Sequence, residues 1–208
     1  MVGLSPTALT FPTTLLRTPS APQAISLSNT GNAPLTISNI ALSGTNSSDF
    51  TQTNSCGSTL APGSSCNINL TFLPTASGPR SATVSVSDNA PGSPQQETVK
   101  GVGTVVTLFP GSLTFGAQTV GTTSSSQGVV FTNTSRIALN ISGVSLSGSN
   151  ASDFAQANNC GSSVAAGATC TINVTFKPSA TGARTASLLV SDNGGGSPQT
   201  VSLGGTGQ

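Results

Sequence analysis

The chain contains no histidine, no tryptophan and no tyrosine, and only 5% of its 208 residues are charged. Each absence removes a class of chemistry. Without imidazole there is no Ser-His-Asp or Cys-His relay. Six basic residues cannot build a phosphate-neutralising stripe, so no nucleic-acid partner is expected. No run approaches the roughly 18 apolar residues of a membrane helix, so no membrane insertion is expected either. The opening residues, Met1-Val2-Gly3-Leu4-Ser5-Pro6, lack the charged and apolar regions of a signal peptide. Our expectation is that Met1 opens a segment of a longer secreted protein. A Ser-Lys dyad would need Lys100 or Lys177, and neither follows Ser-x-x. No Gly-Lys-Ser/Thr phosphate loop is present.

What the chain has in quantity is serine and threonine, 64 together, with 24 glycines, 13 prolines and 15 asparagines. Such a composition fits a disordered linker or a protein of many short strands and turns. The placement of the apolar residues decides between the two. Cys66, Ile68, Leu70 and Phe72 alternate with Asn67, Asn69 and Thr71, and Ala82, Val84 and Val86 alternate with Thr83, Ser85 and Ser87. Leu35 and Ile37, then Ile40 and Leu42, change phase once, which marks a bulge or a break between strands. No window carries a helical stripe. Short alternating segments about ten residues apart predict an antiparallel β-sandwich, which we set at seven strands per unit.

There are two such units. Displacing the sequence by 104 residues superposes nearly half of all positions without a gap: Leu9-Thr10-Phe11 on Leu113-Thr114-Phe115, Ser48-Asp49-Phe50 on Ser152-Asp153-Phe154, Ser87-Asp88-Asn89 on Ser191-Asp192-Asn193. The expected domains are residues 1–103 and 104–208, and further copies are expected to flank them.

Each repeat holds two cysteines with nine residues between them, Cys56 with Cys66 and Cys160 with Cys170. A domain that folds as a unit pairs within itself, so these are the expected disulfides. Each closes a loop of about 11 residues, worth roughly 2.8 kcal/mol in the chain-entropy model. Disulfides would place the protein in an oxidising, extracellular compartment. A four-thiolate zinc site or a redox pair would favour the Cys-x-x-Cys spacing that is absent here. Unpaired structural thiols are the remaining alternative.

These residues carry a resemblance. The run Asp49-Phe50, Cys56-Gly57, Gly63, Cys66, Phe72, Pro74, Gly78, Arg80, Gly101 and Gly103 recurs as Asp153-Phe154, Cys160-Gly161, Gly167, Cys170, Phe176, Lys177, Pro178, Gly182, Arg184, Gly205 and Gly207. It resembles the bacterial choice-of-anchor D repeat, which is similar to the abnormal-spindle/hydin (ASH) domain and to the major sperm protein and PapD-like sandwiches. The resemblance implies an all-β fold of two tandem immunoglobulin-like sandwiches, often found on large surface or secreted bacterial proteins, with no catalytic residue to carry over. The first repeat departs from the pattern at Leu73, where a basic residue is usual, and at Pro12, where the second repeat has Gly116.

The titratable inventory is short. Among the five carboxylates, Asp49, Asp88, Glu97, Asp153 and Asp192, a glycosidase would need two within about 5–10 Å. Asp88 and Asp192 are expected to cap turns in Ser-Asp-Asn, and Asp49 and Asp153 to cap turns before a Phe anchor. Arg80 and Arg184 share the phase of the inward residues and are expected to cap carbonyls or pair with an acid at the sandwich end. One carboxylate per repeat is too few for a calcium cage; no metal and no cofactor are expected. Lys177 could form an isopeptide with an asparagine, but the first repeat lacks it. Sugar binding generally uses Trp or Tyr platforms, which are missing. The function expected is non-enzymatic: a structural spacer or building block of a secreted or surface protein, self-associating or touching neighbouring repeats, with an extracellular fibre as one form. The alternatives are an adhesion module binding a glycan or protein through loops, and an intracellular scaffold with free thiols.

Overall fold

The computed structural model describes residues 1–208, which divide into two compact units, Met1–Thr104 and Val105–Gln208. Both are built from strands and one three-residue 3-10 turn apiece, Ser47–Asp49 and Ala151–Asp153.

In the first unit the strands are β1 (Val2–Ser5), β2 (Leu9–Thr10), β3 (Thr14–Leu15), β4 (Gln23–Asn29), β5 (Leu35–Ser43), β6 (Phe50–Asn54), β7 (Thr59–Leu60), β8 (Ser65–Phe72), β9 (Gly78–Asp88) and β10 (Gln95–Thr104). One sheet has the order β1-β4-β8-β6; the other has the order β2-β10-β9-β5-β7, with β3 also on β10. The first segment of chain therefore lies on one sheet as β1 and crosses to the other as β2 and β3, where it runs parallel to β10.

The second unit repeats this with β11 (Val106–Phe109), β12 (Ser112–Gln118), β13 (Gln127–Asn133), β14 (Leu139–Ser147), β15 (Phe154–Asn158), β16 (Ser163–Val164), β17 (Thr169–Phe176), β18 (Gly182–Asp192) and β19 (Gln199–Gly207). Its sheets are ordered β11-β13-β17-β15 and β12-β19-β18-β14-β16.

The alternation in the sequence is the alternation in burial. Along β8, Cys66, Ile68, Leu70 and Phe72 face the core and the residues between them do not; β17 does the same with Cys170, Ile172, Val174 and Phe176. Complete burial of an Ile, Leu or Phe contributes about 1.5–3 kcal/mol apiece. Each unit has its own cluster of such residues. The phase change between Ile37 and Ile40 is a bulge within one continuous strand, β5, whose register on β9 shifts between Ile37 and Asn39.

Ten and nine strands replace the expected seven per repeat. The excess comes mostly from two-residue pieces such as β2, β3, β7 and β16. Pro12 explains one of them: it has no N–H for the ladder. The segment that Gly116 lets run on as β12, with a register shift between Thr114 and Ala117, is cut into β2 and β3 in the first unit.

Candidate functional site

The densest polar constellation in each unit lies where the 3-10 turn meets the last strands. The Ser47–Asp49 turn drives Asp49 inward, fully buried, while the next residue, Phe50, enters the core. The main chain fixes that placement: the Leu73 N–H donates to the Asp49 carbonyl at 2.8 Å. On β9, Arg80 donates from Nε to Asp49 Oδ2 at 2.5 Å, and Thr75 donates to Oδ1 from its hydroxyl at 2.6 Å and from its N–H at 3.3 Å. Burial by itself would raise the Asp49 carboxyl; the hydrogen bonds from Thr75 and Arg80, with the guanidinium charge, outweigh it and hold the group below the ordinary aspartate range.

The second unit rebuilds the pair: Arg184 Nε donates to Asp153 Oδ2 at 2.5 Å, and the Lys177 N–H donates to the Asp153 carbonyl at 2.7 Å. Ser179 stands where Thr75 does, and its hydroxyl accepts from Arg184 Nη2 at 3.2 Å. Asp153 is also held low, burial again being outweighed by Ser179 and Arg184.

These acids are not caps of their own turns. The Asp49 carboxylate serves the loop after β8, some 26 residues downstream, because the 3-10 turn points it across the sandwich end rather than back along its own backbone. Asp88 and Asp192 are local caps: Oδ1 of Asp88 accepts from the Ala90 N–H at 2.7 Å and Oδ1 of Asp192 from the Gly194 N–H at 2.6 Å. Burial raises the Asp192 carboxyl, with the Gly194 N–H and Gln199 offsetting part of the effect.

Beneath the ion pair, Phe11, Phe50 and Phe72 form a ring cluster with centroids 4.9–6.0 Å apart, and Phe115, Phe154 and Phe176 copy it. The closing Gly-x-Gly follows from this cluster. A Cβ on Gly101 would lie 2.5 Å from the Phe72 ring, and one on Gly103 would press into the Ala76 carbonyl; Gly205 and Gly207 meet Phe176 and Ala180 in the same way. The disulfides Cys56–Cys66 and Cys160–Cys170 pin the loop before β8 and β17, each with Cα atoms 4.9 Å apart and all four sulfurs engaged.

Three features had no reading in the sequence. Asn29 is buried and its amide donates to the carbonyls of Ala33 and Leu60; Asn133 does the same for Ile137 and Val164. Their identity across the 104-residue displacement was the signal. Gln52 and Gln156 donate to the carbonyls of Ile40 and Val144, tying the edge of one sheet to the other. Phe109 is 77% exposed and paired outward with Val130, where the first unit has Ser5 beside Ser26. Lys177 is exposed at the rim of a shallow hollow with Val120, Gly121 and Pro178.

Chemically the constellation is closed. The carboxylate and guanidinium of each pair engage each other, the hydroxyl beside them is taken up by the same network, Asp153 Oδ1 alone is left buried without a partner, and the sulfurs are oxidised. Such a site braces a fold and defines a tandem pair of immunoglobulin-like sandwiches, each stapled by one disulfide and braced by one buried ion pair. The comparisons with known proteins agree on the class. Residues 104–200 match the ASH family (abnormal spindle-like microcephaly-associated, ASPM-SPD-2-Hydin), and residues 17–102 match the HYDIN/CFA65/VesB-like Ig-like domain.

Each unit is thus matched by its own model of an ASH or HYDIN-type immunoglobulin-like domain. No curated protein matches. Among solved structures it is similar to a protein of unknown function from Porphyromonas gingivalis W83, with 13% identity, 99% of each chain covered and a TM-score of 0.41. It is also similar to the ASH/PapD-like domain 7 of human CEP192, with 18% identity over 49% of this chain and 84% of that one, TM-score 0.37. A third is the secreted serine protease VesC from Vibrio cholerae, with 14% identity over 88% of this chain and 49% of that one, TM-score 0.39.

Proposed function

We propose that this chain is a structural module of a secreted or cell-surface protein, a spacer or building block that assembles through like neighbours and can serve as the subunit of an extracellular fibre. The observation that carries the reading is the pair of intra-repeat disulfides, which are characteristic of proteins in an oxidising compartment. Supporting it, the Asp–Arg pair that the two repeats share is spent internally on the fold. The near-neutral surface of serine, threonine and asparagine lets sheet faces approach without repulsion.

Thiol titration of the denatured, unreduced protein tests the compartment: no reactive thiol is expected, and four would point to an intracellular scaffold. Negative-stain microscopy at high concentration tests assembly, and monomers alone would count against it. A second reading, adhesion to a glycan or protein partner, is favoured by the outward Phe109–Val130 pair, which the first repeat replaces with serines. Saturable binding on a glycan array that is lost in Phe109→Ser would promote it.

A further inference from the structure

Glu97 is a carboxylate that the repeat does not share. On β10 the inward residues are Glu97, Val99, Gly101 and Gly103, while Thr98 and Lys100 point outward. Glu97 is 5% exposed, and its Oε1 is sealed from solvent without a hydrogen-bond partner. It lies opposite Val84 on β9. The equivalent position in the second unit, opposite Leu188 on β18, is Val201, with no exposed surface. The same backbone niche thus holds a valine in one repeat and a carboxyl in the other.

No charge compensates it. Of the strands packed against β10, β1, β2 and β3 carry no charged side chain. On β9, Arg80 is committed to Asp49 and Asp88 to the Ala90 turn. On β10 itself Lys100 is exposed on the opposite face, and Met1, which bears the N-terminal ammonium just ahead of β1, is exposed.

From this geometry we infer that Glu97 is a proton-dependent lock on the first unit. With its proton on, the side chain sits as a neutral filler and the unit closes as its sister does. When the proton leaves, a charge without a counter-ion is buried between the sheets, the unit opens more readily, and the second unit, with Val201, gains no such weakness from this position. Burial pushes the Glu97 carboxyl above the ordinary glutamate value, only partly offset by the Thr98 N–H. The sign follows: a carboxyl raised in the folded state gives its full stabilisation in acid and loses it as pH rises through the raised value. This inference does not depend on the structural-module reading.

Hydrogen exchange, resolved by peptide and corrected for intrinsic rate, tests it on the full chain from mildly acidic to mildly alkaline pH. In the wild type the opening constant of β9 and β10 peptides should rise up to tenfold per pH unit above about 4.3, then level off. Glu97→Val, which copies the second repeat, should flatten that rise and increase protection at neutral pH. Glu97→Gln should flatten it as well while keeping the shape. Asp192, also raised by burial, gives the second unit a dependence of its own, so the comparison is wild type against variant within the first unit. Parallel pH profiles for wild type and Glu97→Val, or lower protection in Glu97→Val at neutral pH, would overturn the proposal.

Discussion

Replacing Arg80 with methionine isolates the brace of the first unit. Methionine keeps much of the apolar stem and removes the charge, so Asp49, fully buried, loses its 2.5 Å donor and its counter-ion. Breaking a buried pair on one side costs about 3–5 kcal/mol. Thr75 still donates twice to Oδ1, which places the expected loss near the lower end, at about 3 kcal/mol. For a unit of this size that corresponds to roughly 12–24 °C in Tm. The second unit keeps Arg184 with Asp153 and acts as an internal reference. Calorimetry of the full chain should therefore separate one transition into two.

The double variant Asp49→Asn with Arg80→Met should recover part of the loss, because a neutral amide is cheaper to bury than an unpaired carboxylate. A shift below about 1 kcal/mol, in the range of surface pairs, would refute the reasoning, as would a double variant that is additive.

Four further outcomes are expected. Asp49 and Asp153 are held low, so the stability they provide is present above the ordinary aspartate value and is lost as pH falls through the depressed ones; acid denaturation followed by circular dichroism should be shallower in Asp49→Asn. Gly101→Ala should cost about 1–3 kcal/mol by forcing a methyl into the Phe72 ring, whereas Gly204→Ala, with open space at its Cβ, should be within about 0.5 kcal/mol of wild type in urea. Cys56→Ser with Cys66→Ser should lower first-unit stability by about 2–3 kcal/mol, read as a shifted urea midpoint. Phe109→Ser should leave stability unchanged, since the ring is 77% exposed, and should reduce self-association or partner binding measured by light scattering.

Much of this protein was readable because its physics is repetitive. Period-two alternation with 104-residue recurrence yields sandwich strands directly: a residue facing a core must be apolar, and its neighbours must not be. Less legible were the strand ends. Pro12 against Gly116 changes one strand into two, although Leu9-Thr10-Phe11 and Leu113-Thr114-Phe115 just before them are identical. Asp49 was read as a local cap because short acidic side chains near turns are usually that; its bond to Thr75 and Arg80 depends on a sandwich end that closes residues 26 and 31 positions apart. Glu97 gave no sequence signal beyond its mismatch with Val201.

Taken alone, the order of residues determined the repeat, the β class and the absence of imidazole chemistry, and it set the expected cysteine pairing. All of these follow from local periodicity, spacing or the bare inventory. Only the tertiary structure decided which acid meets which base, why glycine closes each repeat against a phenylalanine, and that Glu97 alone of the five carboxyls takes a buried place that its sister repeat gives to an aliphatic side chain. Those outcomes depend on groups far apart in the chain sharing one dry space, where a single missing partner changes the sign of a side chain's contribution.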